Sequence, residues 1–372
     1  MAEPEPFEVA VPDEVWADLR ERLERTRWPE QAGSWELGVD LDYLRELCAH
    51  WGDTYDPARL PAMMNRYANF CWEGLHYMHA GGERKGGDGL PLLLLHGWPG
   101  GPIEYLDVIP RLAEAGHDVA VPSLPGYGWS EDPGKPLNIT AVAERLRRLV
   151  EEGLGWEHYG VVGGDWGAPI AARLASESPQ VAALYVFTPG TLPPAAQLAE
   201  PPLSEAEGAF IEQGLRWRRR EGHHMLIQST VPDMVAVGLA DSPAGLAAYL
   251  LEKYRRWSDS DGDVERRFSK DQLCDYLTMY WATGTIASSM RLYWGERKDR
   301  WRAGEGELIG TPAAVGVFPA EIINPPREWT ARLLTDLRRW TEMPRGGHFG
   351  ASEEPELLAA DVRTFLTALP AG

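Results

Sequence analysis

The sequence is poor in cysteine and lacks an obvious cluster of metal ligands. Its three cysteines, Cys48, Cys71 and Cys274, lie far apart in 372 residues and show no C-x-x-C spacing. This spacing argues against a disulfide framework and a thiolate zinc site, so we expect buried thiols. His76 and His79 form an H-x-x-H pair without an acidic or cysteine partner at ligand spacing. We therefore expect no metal and no other cofactor.

Positive charge and long apolar runs are also scarce. The formal net charge of −20 disfavours binding to nucleic acid or to an anionic membrane, and the basic residues between Arg216 and Arg220 predict a solvated helix face. No stretch reaches the ~20 apolar residues of a transmembrane helix, and the N-terminus is acidic where a secretory signal is basic. We expect a soluble, cytoplasmic protein with no membrane or nucleic-acid partner. A homodimer stays open.

Apolar runs alternate with helical patterns through much of the chain. The run LLLL, from Leu92 to Leu95, fits a strand buried on both faces. Further strand candidates, separated by helix-like segments such as Thr140 to Glu152, are Asp118 to Val121, Tyr159 to Gly163, Leu184 to Phe187 and Ala313 to Phe318. The alternation predicts the α/β class, with a mostly parallel, doubly wound sheet.

Two segments depart from this alternation. Residues 1–75 contain helix patterns, one of them from Val11 to about Arg27, but are too short for a convincing separate core. Residues 191–302 hold helical segments crowded with aromatic side chains. We predict an N-terminal wrapping region (1–75), the first part of a core (76–190), an inserted helical cap (191–302) and the second part of the core (303–372).

The stretch VVGGDWGAPIAARLAS, from Val161 to Ser176, predicts a strand, a tight turn and a helix. Its Gly163-x-Asp165-x-Gly167 pattern fits a nucleophile elbow, in which small residues relieve crowding around an exposed central side chain. That side chain is here a carboxylate. A glycine-rich turn that opens a helix also suits nucleotide phosphates, so the elbow alone does not decide the function.

Candidate partners for a nucleophilic Asp165 follow in the order acid, then histidine. Glu321 comes soon after the apolar strand that ends at Phe318, at the carboxyl end where catalytic groups gather. His348 lies in the loop PRGGHFG, whose glycines allow the imidazole to turn inward. A lone glutamate is usually on the surface, and a lone loop histidine is usually structural. The three residues together favour a catalytic triad.

The segment LLLLHGWPGGPIEY ends a strand in a loop that can supply a backbone N–H group. We expect the N–H of Trp98 and that of Trp166, which follows Asp165, to form an oxyanion hole. Trp98 and Pro99 are also candidate substrate contacts. His96 is expected to hold the loop together, because the triad already contains a base.

These motifs resemble the microsomal-type (class I) epoxide hydrolases of the α/β-hydrolase fold. The resemblance runs nearly end to end, through FEVAVPDEVWADLRERLERTRWPE, LLLLHGWPGGPIEY, GGDWGAPIA, YWATGTIASSMRLYW and PRGGHFGASEEPELLAADVRTFL. It implies an α/β-hydrolase core with a helical cap and this family's N-terminal region. It places Asp165 as nucleophile, Glu321 as acid, His348 as base and Tyr293 as one of two cap tyrosines that hold the epoxide oxygen.

The place of the second tyrosine is taken by His224, in EGHHMLIQST. If His224 shares the epoxide oxygen with Tyr293, an imidazole of pKa ~6.5 replaces a phenol of pKa ~10, and the donor becomes pH-sensitive in the working range. The alternative is that His224 turns away and His223 or a water fills its place.

The implied reaction explains the aspartate. An epoxide has no acyl group, so its carbon must be displaced in line, and a carboxylate is already ionised near neutral pH. The alkyl ester on Asp165 has a carbonyl that water, activated by His348 and Glu321, can attack. Epoxide and water would give a vicinal diol without a cofactor. The aromatic cap favours a bulky or aromatic epoxide.

Other functions fit parts of this pattern. A haloalkane dehalogenase shares the aspartate, the following tryptophan, the acid and the histidine, but it has no leaving oxygen for Tyr293 to stabilise. A small-molecule binding protein on the same scaffold tends to lose triad members, whereas this chain keeps all three. A serine esterase needs a serine at position 165 and is excluded.

Overall fold

The computed structural model describes residues 3–30, 34–81, 89–193, 201–302 and 308–370. A nine-stranded sheet lies at the centre of this part of the chain, in the order β1-β2-β3-β5-β4-β6-β7-β8-β9. The strands are β1 (Glu5–Phe7), β2 (Ala68–Trp72), β3 (Leu75–Ala80), β4 (Leu92–Leu95), β5 (Val119–Pro122), β6 (Tyr159–Gly163), β7 (Val181–Val186), β8 (Ala313–Val317) and β9 (Leu337–Glu342).

The helices before and between the strands lie in two groups. Those of the N-terminal segment and the core are α1 (Asp13–Glu24), α2 (Leu41–Ala49), α3 (Arg59–Met64), α4 (Ile109–Ala113), α5 (Ile139–Arg148), α6 (Gly167–Glu177), α13 (Arg327–Ala331), α14 (Gly350–Glu353) and α15 (Pro355–Thr367). The second group, called the cap helices below, comprises α7 (Glu205–Glu221), α8 (His223–Thr230), α9 (Pro232–Asp241), α10 (Pro243–Trp257), α11 (Lys270–Thr283) and α12 (Ile286–Lys298).

The sheet confirms the predicted α/β class. From β5 to β9 in spatial order the strands run parallel, whereas β1, β2 and β3 pair antiparallel at one edge and β3 is antiparallel to β5. The predicted bounds of β4 and β6 are confirmed, while β7 begins at Val181 and not at Leu184. The sequence analysis missed β1 and β2, because strands of three and five residues carry little periodicity.

The leucine run of β4 occupies the middle of the sheet, paired with β5 on one side and β6 on the other. All four leucines are buried, as expected for a strand covered on both faces. Burial of each contributes ~1.5–3 kcal/mol to the free energy of folding. The pairing of β4 with β6 places the loop after β4 beside the turn that carries Asp165.

The N-terminal segment connects the sheet to the cap helices. Its strands extend the sheet, while α1 and α2 contact α10 and α3 contacts α11. The Trp51 indole donates a hydrogen bond to Thr278 Oγ1 at 2.9 Å, and Tyr55 donates to Asp275 Oδ1 at 2.7 Å. Arg59 also pairs with Asp275 at 3.1 Å. The segment therefore does more than wrap the core.

One of the two residues of the H-x-x-H pair, His76, belongs to the core. His76 is fully buried, with Nδ1 2.9 Å from Ser123 Oγ and Nε2 2.9 Å from Asn69 Oδ1, and burial lowers its pKa to about 3. Within the described ranges, no group of three histidine, cysteine, aspartate or glutamate side chains could hold a metal ion.

Two further composition-based expectations concern the exposure of the cysteines and of the basic run. Cys48 and Cys274 are buried thiols, but Cys71 is only partly covered because β2 lies one strand from the sheet edge. The arginines between Arg216 and Arg220 are exposed on α7. Over the described residues, no single helix is long and apolar enough to cross a membrane. Only α9 and α10 taken together, with a 119° bend between them, reach that length and composition.

Tyr55→Phe tests the link between the N-terminal segment and α11. Burial raises the pKa of Asp275 to about 6, so near pH 7 its carboxylate is charged and depends on Tyr55 and Arg59. We expect Tyr55→Phe to lower the free energy of unfolding by ~1–3 kcal/mol at pH 7, because a buried acceptor loses a donor. The loss should shrink at pH 5, where Asp275 is mostly protonated. Urea denaturation measures both values.

Tyr77→Phe is the matched control. Tyr77 is equally buried, but no hydrogen bond of its hydroxyl is found among the described residues. Equal losses in the two variants, or a Tyr55→Phe loss that does not depend on pH, would contradict the assignment.

Candidate active site

Asp165 lies on a strained turn between β6 and α6. Its φ of +47° falls in the left-handed region, which residues other than glycine rarely adopt. The flanking glycines are sterically required. A Cβ on Gly163 would collide with the carbonyl oxygen of Gly167, and one on Gly167 would collide with that of Leu95. The predicted elbow is present, and it projects the carboxylate away from the strand.

The carboxyl ends of the parallel strands bring the predicted triad together. His348 Nδ1 lies 2.8 Å from Glu321 Oε1, and His348 Nε2 lies 3.4 Å from Asp165 Oδ2. A carboxylate only accepts hydrogen bonds, so Nδ1 carries a proton and donates a hydrogen bond to Glu321. Glu321 Oε1 also accepts the N–H of Ile322 at 2.7 Å. The imidazole is thereby oriented with Nε2 toward the aspartate.

The charges of this group favour a protonated histidine. Burial by itself lowers the pKa of His348, but the carboxylates of Glu321 and Asp165 outweigh burial and raise that pKa well above its usual value. The neighbouring charges therefore favour the imidazolium form of His348.

The backbone N–H of Trp98 points at the same carboxylate and donates to Asp165 Oδ1 at 2.8 Å. Trp166 follows Asp165 directly and caps α6, and the first N–H groups of a helix have no acceptor within it. His96 holds the loop as expected: its Nε2 accepts the N–H of Leu124 at 3.0 Å, and burial lowers its pKa to about 4.

Two other tyrosines of the cap helices hold the loop after β4. Tyr254, in α10, donates to the carbonyl of Pro99 at 3.1 Å, and Tyr280, in α11, donates to that of Gly100 at 3.0 Å. Both tyrosines are almost fully buried. The Trp98–Pro99 peptide bond is cis. The cap helices thus fix the loop that presents the Trp98 N–H group.

Tyr293 and His224 reach the site from α12 and α8. The Tyr293 ring packs edge-on against Trp166, with centroids 4.7 Å apart, and lies 6.0 Å from the His224 ring. His224 stacks on Trp98 at 5.7 Å with an interplanar angle of 6°. Its Nδ1 is buried and has no hydrogen-bond partner among the described residues. His224 is thus buried beside Tyr293, and a share in holding the epoxide oxygen stays a prediction.

The surroundings of His224 act against the expected pH sensitivity. Burial lowers the pKa of His224 well below its usual value, and positive charge on Lys253 and on His223 acts in the same direction. These effects favour the neutral imidazole. The sequence pattern did not reveal this, because the burial and the nearby charge come from other helices.

A cavity of about 290 Å³ opens over these groups. It is lined by Asp165, Glu321, His348, Tyr293, His224 and Trp166, and by residues that the sequence analysis did not single out, among them Ile139, Pro169, Leu192, Met225, Trp257, Glu296, Trp301, Ile322 and Ile323. Trp98 and Pro99 are not among the described lining residues. A substrate contact at either residue stays a prediction.

Trp257 contacts both histidines of the site, a role that the sequence analysis did not single out. Its carbonyl accepts the backbone N–H of His348 at 2.8 Å, and its ring lies 5.1 Å from the His348 ring and 4.9 Å from the His224 ring. The aromatic richness of the cap was visible in the sequence. Which aromatic ring meets the catalytic loop depends on helix packing and was not.

Removing either carboxylate beside His348 should lower the pKa of this histidine. Asp165→Asn and Glu321→Gln each delete a charge that raises it, so the imidazolium is expected to lose its proton at a lower pH in both variants. NMR of ¹⁵N-histidine-labelled protein follows this titration directly. Asp53→Asn, at an exposed position, is the control and should leave the midpoint unchanged. An unaltered midpoint in both active-site variants would overturn this electrostatic account.

Comparison with known proteins agrees with the geometry. Residues 4–105 match the family described as epoxide hydrolase N terminus, and residues 91–210 match the one described as alpha/beta hydrolase fold. Epoxide hydrolase 1 of Sus scrofa is 34% identical over 98% of this chain and 88% of its own length. Juvenile hormone epoxide hydrolase of Bombyx mori is 33% identical over 96% and 84%, respectively.

Solved structures give the same result. The crystal structure of juvenile hormone epoxide hydrolase from the silkworm Bombyx mori has a TM-score of 0.88 at 31% identity, over 98% of this chain and 94% of that one. The Aspergillus niger epoxide hydrolase has a TM-score of 0.85 at 26% identity, over 98% and 96%. The resemblance drawn from the motifs is confirmed, and the chain belongs to the epoxide hydrolase family of the α/β-hydrolase fold.

Proposed function

We propose that this epoxide hydrolase converts a bulky or aromatic epoxide to a vicinal diol through a covalent ester on Asp165. The observation that carries the proposal is the division of labour between the two carboxylate oxygens. Oδ1 accepts the Trp98 N–H at 2.8 Å, while Oδ2 lies 3.4 Å from His348 Nε2 at the cavity. One oxygen is held by the backbone, and the other keeps lone pairs for attack.

In the first step, Oδ2 displaces an epoxide carbon and the ring oxygen takes a proton from the Tyr293 hydroxyl. Burial, with the Asp165 charge as a further cause, raises the pKa of Tyr293 well above its usual value, so the phenol enters the reaction protonated. The neutral imidazole of His224 adds a second polar group beside the same oxygen. The product is a hydroxyalkyl ester of Asp165.

The ester changes the role of His348. Alkylation removes the negative charge of Asp165, which is one of the causes of the raised pKa of His348. The imidazolium then releases its proton, which restores the Tyr293 hydroxyl. Histidine becomes a base only once there is an ester to hydrolyse. While His348 is an imidazolium it cannot act as a base, so attack by the Asp165 carboxylate comes before activation of water.

In the second step, His348 takes a proton from water, which attacks the ester carbonyl. Glu321 stabilises the imidazolium that forms, and the N–H groups of Trp98 and Trp166 hold the oxyanion on Oδ1. When the tetrahedral intermediate breaks down, the diol oxygen takes a proton from the imidazolium. The acid proton of Asp165 then returns to His348, and the resting charges are restored.

The remaining sequence-based proposals concern organisation and location. We propose the division into an N-terminal region (1–75), a first core part (76–190), a cap (191–302) and a second core part (303–372) as functional units. The last boundary adjoins residues 303–307, which lie outside the described ranges. A cytoplasmic location and a homodimer are predictions from the sequence.

Oxygen-18 labelling tests the covalent route. In a single turnover in H₂¹⁸O with excess enzyme, the diol should contain no solvent oxygen, because its new oxygen comes from the Asp165 carboxylate. Mass spectrometry of the diol reports this. Full labelling in that first turnover would show direct attack by water and would exclude the ester.

His348→Gln should trap the intermediate. Glutamine cannot act as the base, so the alkyl-enzyme should accumulate with a mass increase equal to that of the substrate. Asp165→Ala should give neither adduct nor diol. His158→Gln replaces an exposed histidine and should behave like the unmodified protein. The absence of an adduct in a folded His348→Gln variant that still binds substrate would contradict the assigned base.

The substrate range should follow the apolar lining of the cavity. Rigid aromatic side chains bury large apolar groups with little loss of rotamer entropy, and this cavity is lined by Trp166, Trp257 and Trp301. We expect kcat/KM to be higher for aryl epoxides than for the smallest aliphatic ones. A panel that reports rate and diol regiochemistry measures this preference, and turnover of small aliphatic epoxides alone would contradict it.

A further inference from the structure

A lysine buried in the cap has no part in the mechanism above. Lys253, in α10, is 1% exposed, and lysine is among the side chains least often found fully buried. Its Nζ lies 2.9 Å from His223 Nε2 and forms an ion pair with the carboxylate of Glu252. It also lies 5.4 Å from the centroid of the Trp257 ring. The ammonium therefore has a defined position.

The Lys253 ammonium lies behind Trp257, a residue that lines the catalytic cavity. Trp257 connects Lys253 to the site, because its ring meets His224 at 4.9 Å and His348 at 5.1 Å. On its other side, His224 stacks on Trp98. The buried Nδ1 of His224 has no hydrogen-bond partner among the described residues, although the residue lines the cavity. His224 thus joins the cavity wall to Trp257.

The charges around His224 come from three elements. Lys253 lies in α10 next to Glu252, His223 precedes His224 in α8, and His348 lies in the loop after β9. Tyr293, from α12, is uncharged. Burial lowers the pKa of Lys253 and Glu252 partly offsets this effect, so the pair is held as ammonium and carboxylate. After burial, the charge of Lys253 is the largest cause that lowers the pKa of His224.

We propose that Lys253 is a positioning residue for the reaction. Its buried ammonium, fixed behind Trp257, keeps the His224 imidazole uncharged and stacked on Trp98, so that His224 presents a neutral polar nitrogen beside Tyr293. Protonation of His224 would place a second cation near the ammonium, and two like charges in a buried setting repel each other strongly. His224 can thereby hold the epoxide oxygen in the place of the second cap tyrosine of the family.

The consequence for the substrate rests on the proposed function. A charged His224 would attract the opening oxygen more strongly than Tyr293 does and would shift it relative to Asp165. A neutral imidazole shares the oxygen with Tyr293 at every working pH. The ratio of attack at the two epoxide carbons is therefore expected to be independent of pH in the unmodified protein.

Histidine NMR tests the electrostatic part without a substrate. In ¹⁵N-histidine-labelled protein, with the His224 signals assigned by their loss in His224→Gln, His224 should stay neutral from pH 8 to about 5.5, below the usual midpoint of ~6.5. Lys253→Met keeps the length of the side chain and removes the charge, and its His224 midpoint should move upward. In Lys253→Arg the charge is kept and the midpoint should stay low.

Lys270→Met is the matched control. Lys270 is half-buried near the start of α11, pairs with Glu265 and lies over Tyr43, so its loss should leave His224 unchanged. Glu252 remains paired with Arg256 at 3.0 Å when Lys253 is replaced. If Lys253→Met does not fold, the unmodified protein still decides: an ordinary His224 midpoint near ~6.5 there would overturn the proposal.

Product regiochemistry tests the catalytic part. With a styrene oxide probe, the position of ¹⁸O in the diol after many turnovers in H₂¹⁸O gives the ratio of attack at the two carbons, and this ratio should be flat between pH 5.5 and 8 in the unmodified protein. It should drift at least twofold toward low pH in Lys253→Met and be flat again in Lys253→Met with His224→Gln. A ratio that stays flat in Lys253→Met although its His224 titrates would refute the role in the reaction. Absence of any diol from the unmodified protein would instead refute the proposed function, and the NMR result would stand separately.

Discussion

The left-handed backbone of Asp165 is the constraint on which the site depends. A φ of +47° turns one carboxylate out of the end of β6, and such a conformation persists only where the surroundings over-determine it. Gly163 and Gly167 allow the turn, and the pairing of β4 with β6 brings the Trp98 N–H to Asp165 Oδ1. The strain is thus held in place by the most buried strands of the sheet.

The cap helices are part of the catalytic framework as well as a cover. Tyr254 and Tyr280 hold the carbonyls of the loop after β4, and the Trp257 carbonyl holds the backbone of His348. The N-terminal segment holds the cap in turn, through Trp51 with Thr278 and through the group around Asp275. Each hydrogen bond is buried, where an unpaired group is costly, so the parts support one another.

The charge of the site is set by pairs of groups. Two carboxylates raise the pKa of His348, whereas burial and a cation lower that of His224. The pKa values of two histidines of similar burial are therefore shifted in opposite directions, because the sign of the neighbouring charge differs. Sequence analysis assigned His224 an ordinary pKa because the charge of Lys253 reaches it through helix packing, from 29 positions away in the chain.

The sequence by itself determined the α/β class, the central strands β4 and β6, the elbow at Asp165 and the candidates Glu321, His348 and Tyr293. All but Tyr293 follow from local patterns: an apolar run, small residues around a turn, and polar side chains just beyond strand ends. Tyr293 follows from the resemblance to the epoxide hydrolases. The tertiary structure decided which cap aromatics line the cavity, how the N-terminal segment joins sheet to cap, and why the pKa of His224 is lowered. Those properties depend on distances between residues far apart in the chain, and only packing fixes such distances.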